Sequence, residues 1–160
     1  MIQFSAGTGS PSRRGRTVFQ GSLIGMDKPA VRDAALLFLR IVVGLVFVAH
    51  GWDKLVITGL TETTGQFSAW GVPQPKLSAW LVMAVELVGG ALLVVGILTT
   101  AVAGVLALLM VAAMWFVHVG EGFFTATGGV EFPLVMTSAL VMIIVFGAGR
   151  ASLDGVLARD

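Results

Sequence analysis

The chain has no cysteine among its 160 residues. Disulfides, thiolate metal sites, iron–sulfur clusters and Cys-x-x-C redox couples are therefore excluded from within it. Any electron transfer would need a bound cofactor or a partner. Charge is scarce too: Asp, Glu, Lys and Arg make up 12% of the sequence, against roughly 25% in ordinary globular proteins. The net charge of +1 gives no pull toward nucleic acid. There is no HExxH, GxSxG, P-loop or dinucleotide fingerprint, and the glycines of "GGALLVVG" (89–96) read as helix-packing residues in an apolar run, not as a phosphate loop. With only two histidines, His50 and His118, no metal site is expected.

What fills the chain instead is apolar. Hydrophobic residues account for 56% of it, and they gather in four runs: Ala34–Ile57, Leu77–Leu98, Ala101–His118 and Phe132–Ala148. A spanning helix needs about 20 mostly apolar residues. The first two runs reach that length and the last two fall slightly short. Apolar side chains cover nearly every face, so these are not the amphipathic helices of a soluble bundle. The fold class expected is all-α: a polytopic membrane protein with a four-transmembrane-helix bundle over 34–148, between an N-terminal tail (1–33) and a short C-terminal tail (149–160).

The tails set the orientation. Arg13, Arg14, Arg16, Lys28 and Arg32 precede the first run, and Arg150 and Arg159 follow the last. The outward loops carry mainly Lys76, Glu121 and Glu131. By the positive-inside rule both termini are cytoplasmic. "SRRGRTVF" faintly resembles a twin-arginine signal, but no apolar core follows at once. The expected N-terminal tail is flexible and rich in Gly and Ser, and Met26 would make a compact alternative start. The 58–76 stretch, with "FSAWGVPQPK", reads either as an interfacial segment or as a plain surface loop, its prolines forcing extended backbone.

Ionisable groups inside apolar runs are the most informative residues, because one at the bilayer centre costs on the order of 3 kcal/mol on insertion scales. Arg40 is expected to snorkel toward headgroups. His50 and Lys54 stand four apart and share a helix face. Glu86 lies mid-run with no cation near it on its own segment, so either its partner comes from another helix, with His50 or Lys54 expected, or it is protonated. Gly89 and Gly90 let that helix approach closely. His118 ends the third run and Glu131 opens the fourth, so polar groups of all four helices collect in the outer half of the bundle. The two halves of the chain look weakly alike, "FVAHG" beside "FVHVG" and "VEL" beside "VEF", as a parallel repeat would make them. Two histidines near one surface could ligate haem iron, but a neutral histidine bonded to backbone or carboxylate is the commoner state.

"LRIVVGLVFVAHGWDKL", "VELVGGALLVVGILT", "GFFTATGGVEFPL" and the tail "GAGRASLD" together resemble the DoxX family of small bacterial membrane proteins, from about Leu36 to Asp154. Ala148 stands where proline is common in that family. The resemblance implies four transmembrane helices in the bacterial inner membrane and an association with redox biology, since DoxD-like relatives form the membrane subunit of thiosulfate:quinone oxidoreductases.

Two functions are expected from this. In one, the chain is a membrane anchor or quinone-interacting subunit of a redox or oxidative-stress complex, with His50, Lys54, Glu86 and His118 holding a quinone headgroup or its protons and Glu131 supporting the outer loop. In the other it is a non-catalytic accessory or structural subunit whose polar cluster only locks the helices. Either implies contact with the lipid bilayer and a protein partner, and leaves room for a homo-oligomer; neither involves nucleic acid.

Overall fold

A computed structural model of the chain describes residues 29–157. Among these residues there are helices and turns but no strand. Helix α1 (Pro29–Trp52) runs into a π-helical segment, Asp53–Ile57, and is followed by α2 (Leu60–Ala69) and α3 (Pro75–Val95). Helix α4 (Thr99–Ala113) likewise runs into a π-helical segment, Met114–His118. Two short 3-10 turns then lead to α5 (Glu131–Phe146) and the five-residue α6 (Leu153–Leu157). Three stretches are long and apolar enough to cross a membrane: Pro29–Ile57, Pro75–Val95 and Thr99–Glu121. Helix α5 is apolar but, at 16 residues, shorter.

Several boundaries depart from the sequence expectation. Helix α1 is already formed at Pro29, the first described residue, inside the stretch expected to be tail, and Asp33 is buried on it, accepting a hydrogen bond from Arg150 N. The remainder of the expected N-terminal tail, with the arginine cluster and Met26, lies outside the described residues. The 58–76 stretch is not a plain loop. It forms α2, entered through Gly59 at φ +80° and left through Gly71 at φ +71°, and Thr63 and Phe67 bury one of its faces.

The helices pack as two pairs laid against α1. Helix α2 lies on α3 and α4 on α5, while α1 makes its most extensive contact with α3. That seam is built on glycine. A Cβ added at Gly90 would sit 2.6 Å from Gly44 O, and one at Gly44 would sit 2.7 Å from Gly90 O. The two backbones thus approach more closely than any side chain would allow. Val43, Phe47, Leu93, Leu106, Leu140 and Ile143 fill the space between the helices.

At the opposite end from the π-helical segments the chain closes on itself. Gly96 takes a left-handed conformation (φ +81°) and ends α3, with Gly96 N and Ile97 N both donating to Leu92 O. The C-terminal stretch does not trail away as a tail. Asp154 accepts hydrogen bonds from Leu98 N (2.9 Å) and Thr99 N (2.8 Å), and so caps α4. Burial pushes the Asp154 carboxyl up, but the donors at Thr99 and Leu98 and the nearby Arg40 charge outweigh it and hold the group below its ordinary value. Arg40 does not snorkel. Its side chain is fully buried, its guanidinium donates to Ala151 O, and it packs against Gly96 and Ser152. Where lipid was expected to receive this cation, the returning C-terminal segment receives it instead. The two ends of the described chain therefore lie at one end of the bundle.

Candidate functional site

The other end of the bundle holds a cavity of about 330 Å³. Lys54 and Glu86 meet on its wall. Lys54 Nζ lies 2.8 Å from Glu86 Oε2 and donates to Oε1 as well, at 3.1 Å. Glu86 is buried on α3, 4% exposed, and Lys54 reaches it from the π-helical end of α1. Of the two candidate partners for Glu86, Lys54 is the one in contact. The approach is close because Gly51, one turn earlier on α1, lets the backbone pass Leu87: a Cβ there would sit 2.8 Å from Leu87 N.

The π-helical turn explains a second feature. In a regular α-helix Asp53 would point roughly 100° away from Lys54. The wider turn, marked by Thr58 N donating to Asp53 O, lets both residues line the cavity. Asp53 also accepts a hydrogen bond from Thr58 Oγ1 at 3.0 Å. The ammonium has three donors, and Glu86 engages two, so one stays uncommitted among the described residues.

Both histidines line the same cavity. His50 Nδ1 lies 2.9 Å from Val46 O, and its ring stacks on Phe132 with centroids 5.6 Å apart. His118 Nδ1 bonds to Gly128 O. A carbonyl only accepts, so each Nδ1 carries the proton, and in the neutral ring each Nε2 is left as an acceptor. Glu131 stands apart from the cavity wall. Its carboxylate accepts from Thr125 N at 3.0 Å and its own N donates to Phe123 O, which pins the loop before α5. Among the described residues no group of three or more His, Asp or Glu side chains gathers where a metal ion could be held.

Much of the remaining lining comes from three helical stripes. Thr63, Gln66, Phe67 and Trp70 face the cavity from α2, at the i, i+3, i+4, i+7 spacing of one helix face. Leu109, Ala112, Ala113 and Phe116 do the same from α4 and the turn beyond it, and Val82 joins Glu86 on α3. The contribution of α2 was missed in the sequence, although Thr63, Phe67 and Trp70 fall at helical spacing there. The prolines that follow them drew the reading toward extended backbone.

A chamber of this kind offers one paired cation and carboxylate, a second carboxylate at Asp53, two imidazole acceptors, the polar side chains of Thr63 and Gln66, and an otherwise largely apolar wall. It suits a small aromatic or carbonyl-bearing group held by a few directed hydrogen bonds.

The chain was compared with known proteins. The DoxX family model matches residues 35–119. An uncharacterized protein of Haemophilus influenzae is 34% identical over 126 residues, covering 77% of this chain and 90% of its own. A Bacillus subtilis protein named "Putative oxidoreductase CatD" is 29% identical over 76% of this chain and 86% of its own. Inner membrane protein YphA of Escherichia coli is 26% identical over 80% of this chain and 94% of its own. No solved structure matches the chain at a comparable level.

Proposed function

This chain belongs to the DoxX family and is a multi-pass membrane protein, and from that premise we propose that it is a four-span protein of the bacterial inner membrane whose outer cavity holds the head of a quinone within a redox complex. Helix α5 is the fourth span in this reading. Its 16 residues cover about 24 Å, somewhat less than the roughly 30 Å hydrocarbon core, a mismatch that local thinning accommodates. Both termini face the cytoplasm. The arginines of the two tails favour that side, and all four tryptophans (Trp52, Trp70, Trp80 and Trp115) are exposed at the opposite end, as interfacial anchors there would be.

One observation carries the quinone reading: the Lys54–Glu86 pair is set in the wall of a chamber that is otherwise largely apolar and large enough for a ring. Charged groups at this depth are costly and are kept where they act on a ligand or a proton. The donor set fits the ligand. The free N–H of Lys54 suits a quinone carbonyl, and a histidine Nε2 suits the hydroxyl of the reduced form. A bound quinone would supply two-electron carrying capacity, which a chain without cysteine lacks. Lys54 and Glu86 would orient the head and pass protons to it, and Phe132 and Trp70 would keep water from its face. The name carried by the Bacillus subtilis relative points the same way.

A second reading has its own support. The pair bridges the same α1–α3 seam that Gly44 and Gly90 bring together, so it also fits an accessory subunit in which the charges only fix helix register. Fluorescence separates the two. Trp70 lines the cavity, so adding a short-tailed quinone to the solubilised protein should quench emission saturably, and Trp70→Phe should remove most of that quenching. A folded wild-type protein that shows no saturable quenching would leave the accessory reading standing.

A further inference from the structure

The cavity lies between two packed pairs of helices, α2 with α3 and α4 with α5. Helices α3 and α4 are joined by a tight turn at the inner end, and they touch where Gly89 faces Leu106. Farther out the cavity separates them, with Val82 and Glu86 on one wall and Leu109, Ala112 and Ala113 on the other. The walls there are also an outside surface. Ala112 lines the cavity and is itself exposed, as are Phe116 and Trp70 farther out, beyond α4 and α2.

The height of this gap decides what it opens to. Ala112 lies 13 residues beyond Thr99, the inner end of α4, hence about 20 Å along the axis. Leu109 lies at about 15 Å on the same measure. Both depths fall within a hydrocarbon core about 30 Å thick. Val82, on the facing helix, sits about 10 Å in from the outer end of α3. The gap thus faces lipid tails and not water, and apart from Glu86 the side chains bordering it at that depth are apolar.

We propose that the cavity is entered sideways from the outer half of the bilayer, through the gap between α3 and α4, by an amphiphile whose polar ring reaches Lys54 and Glu86 while its long apolar tail remains in the gap. This rests on the reading that the chamber holds a quinone head, and it adds which members of that class bind: those with a tail long enough to occupy the window. A cavity of about 330 Å³ holds a ring but no isoprenoid chain, so the tail must leave by some route. A route past Val82, Leu109 and Ala112 lets it stay among apolar groups and lipid throughout.

The test uses the full chain in lipid nanodiscs and two probes, a tail-less methoxybenzoquinone and the same head carrying an isoprenoid tail. Wild type should bind the tailed probe at least tenfold more tightly than its partition into empty nanodiscs accounts for. Ala112→Trp and Val82→Trp, which fill the gap from opposite walls, should each weaken the tailed probe about tenfold more than they weaken the tail-less probe. Leu108→Trp, on the lipid-exposed face of α4 and off the cavity wall, controls for the added indole and should change neither. Thermal unfolding of each variant confirms that it is folded. Equal weakening of both probes by the plugging variants, or no effect on either, would overturn sideways entry while leaving the quinone reading intact. Wild type binding neither probe would overturn the quinone reading itself, and sideways entry with it.

Discussion

Lys54 and Glu86 stand 32 residues apart in sequence and meet at 2.8 Å across the α1–α3 seam, the lysine side chain 18% exposed and the glutamate 5%. Removing one partner leaves the other charge in an apolar wall, while removing both leaves neither. The singles Lys54→Met and Glu86→Gln should therefore each cost stability. The double Lys54→Met/Glu86→Gln should cost less than the sum of these two singles, with a coupling of about 1–3 kcal/mol in a double-mutant cycle. Detergent-titrated unfolding followed by circular dichroism measures it. Strictly additive losses would show that the contact contributes nothing to the fold.

The same seam depends on the absence of a side chain at Gly90. Its Cβ would fall 2.6 Å from Gly44 O and 2.9 Å from Val48 N, and backbone cannot step aside as a flexible side chain can. Gly90→Ala should destabilise by about 1–3 kcal/mol, the range for overpacking. Gly104→Ala, with open space around its Cβ position, should be neutral or mildly stabilising because alanine favours helix. Unfolding midpoints of the two variants, compared in one detergent, check the pair.

At the far end, Asp154 caps α4 with two backbone hydrogen bonds. Asp154→Ala should cost about 1 kcal/mol, as lost caps do. Its carboxyl is held below the ordinary aspartate value, so the stability it contributes is complete above about pH 4. That contribution is lost as pH falls through the lower, folded value. Wild type should therefore lose more stability than Asp154→Asn as pH is lowered from about 5 to about 3. Parallel acid sensitivity in the two would remove Asp154 from the cap.

The orientation can be read chemically, because the chain has no native cysteine to interfere. A cysteine introduced at exposed Phe124, in the loop beyond the second π-helical segment, should react with a membrane-impermeant maleimide added to the outside of spheroplasts. One introduced at Arg150, exposed in the C-terminal segment, should react only after the membrane is permeabilised. The reverse pattern would turn the proposed topology over.

Composition and run length made the helical, membrane-spanning class legible, because apolar residues cover whole helix surfaces and lipid leaves few other solutions. Isolation made Glu86 legible: a carboxylate with no cation on its own helix must find one elsewhere or take a proton. The fate of Arg40 was not. Its place within the first apolar run suggested a side chain reaching for headgroups, and did not reveal that the C-terminal stretch folds back to bury it. That is a contact over 111 residues, and no local pattern encodes it. Asp53 was also missed, since periodicity assumes 3.6 residues per turn and the π-helical segment breaks that assumption where the cavity forms. Glu131 opens α5, and its carboxylate accepts a hydrogen bond from the backbone N–H of Thr125 in the loop before it.

The most direct measurement is the quinone content of the protein purified in mild detergent, determined by mass spectrometry for wild type and for Glu86→Gln, with folding of both checked by circular dichroism. Wild type should carry quinone in near-stoichiometric amount, and folded Glu86→Gln should carry little. Equal quinone in both, or none in a folded wild type, would contradict the assignment of the Lys54–Glu86 chamber as its site.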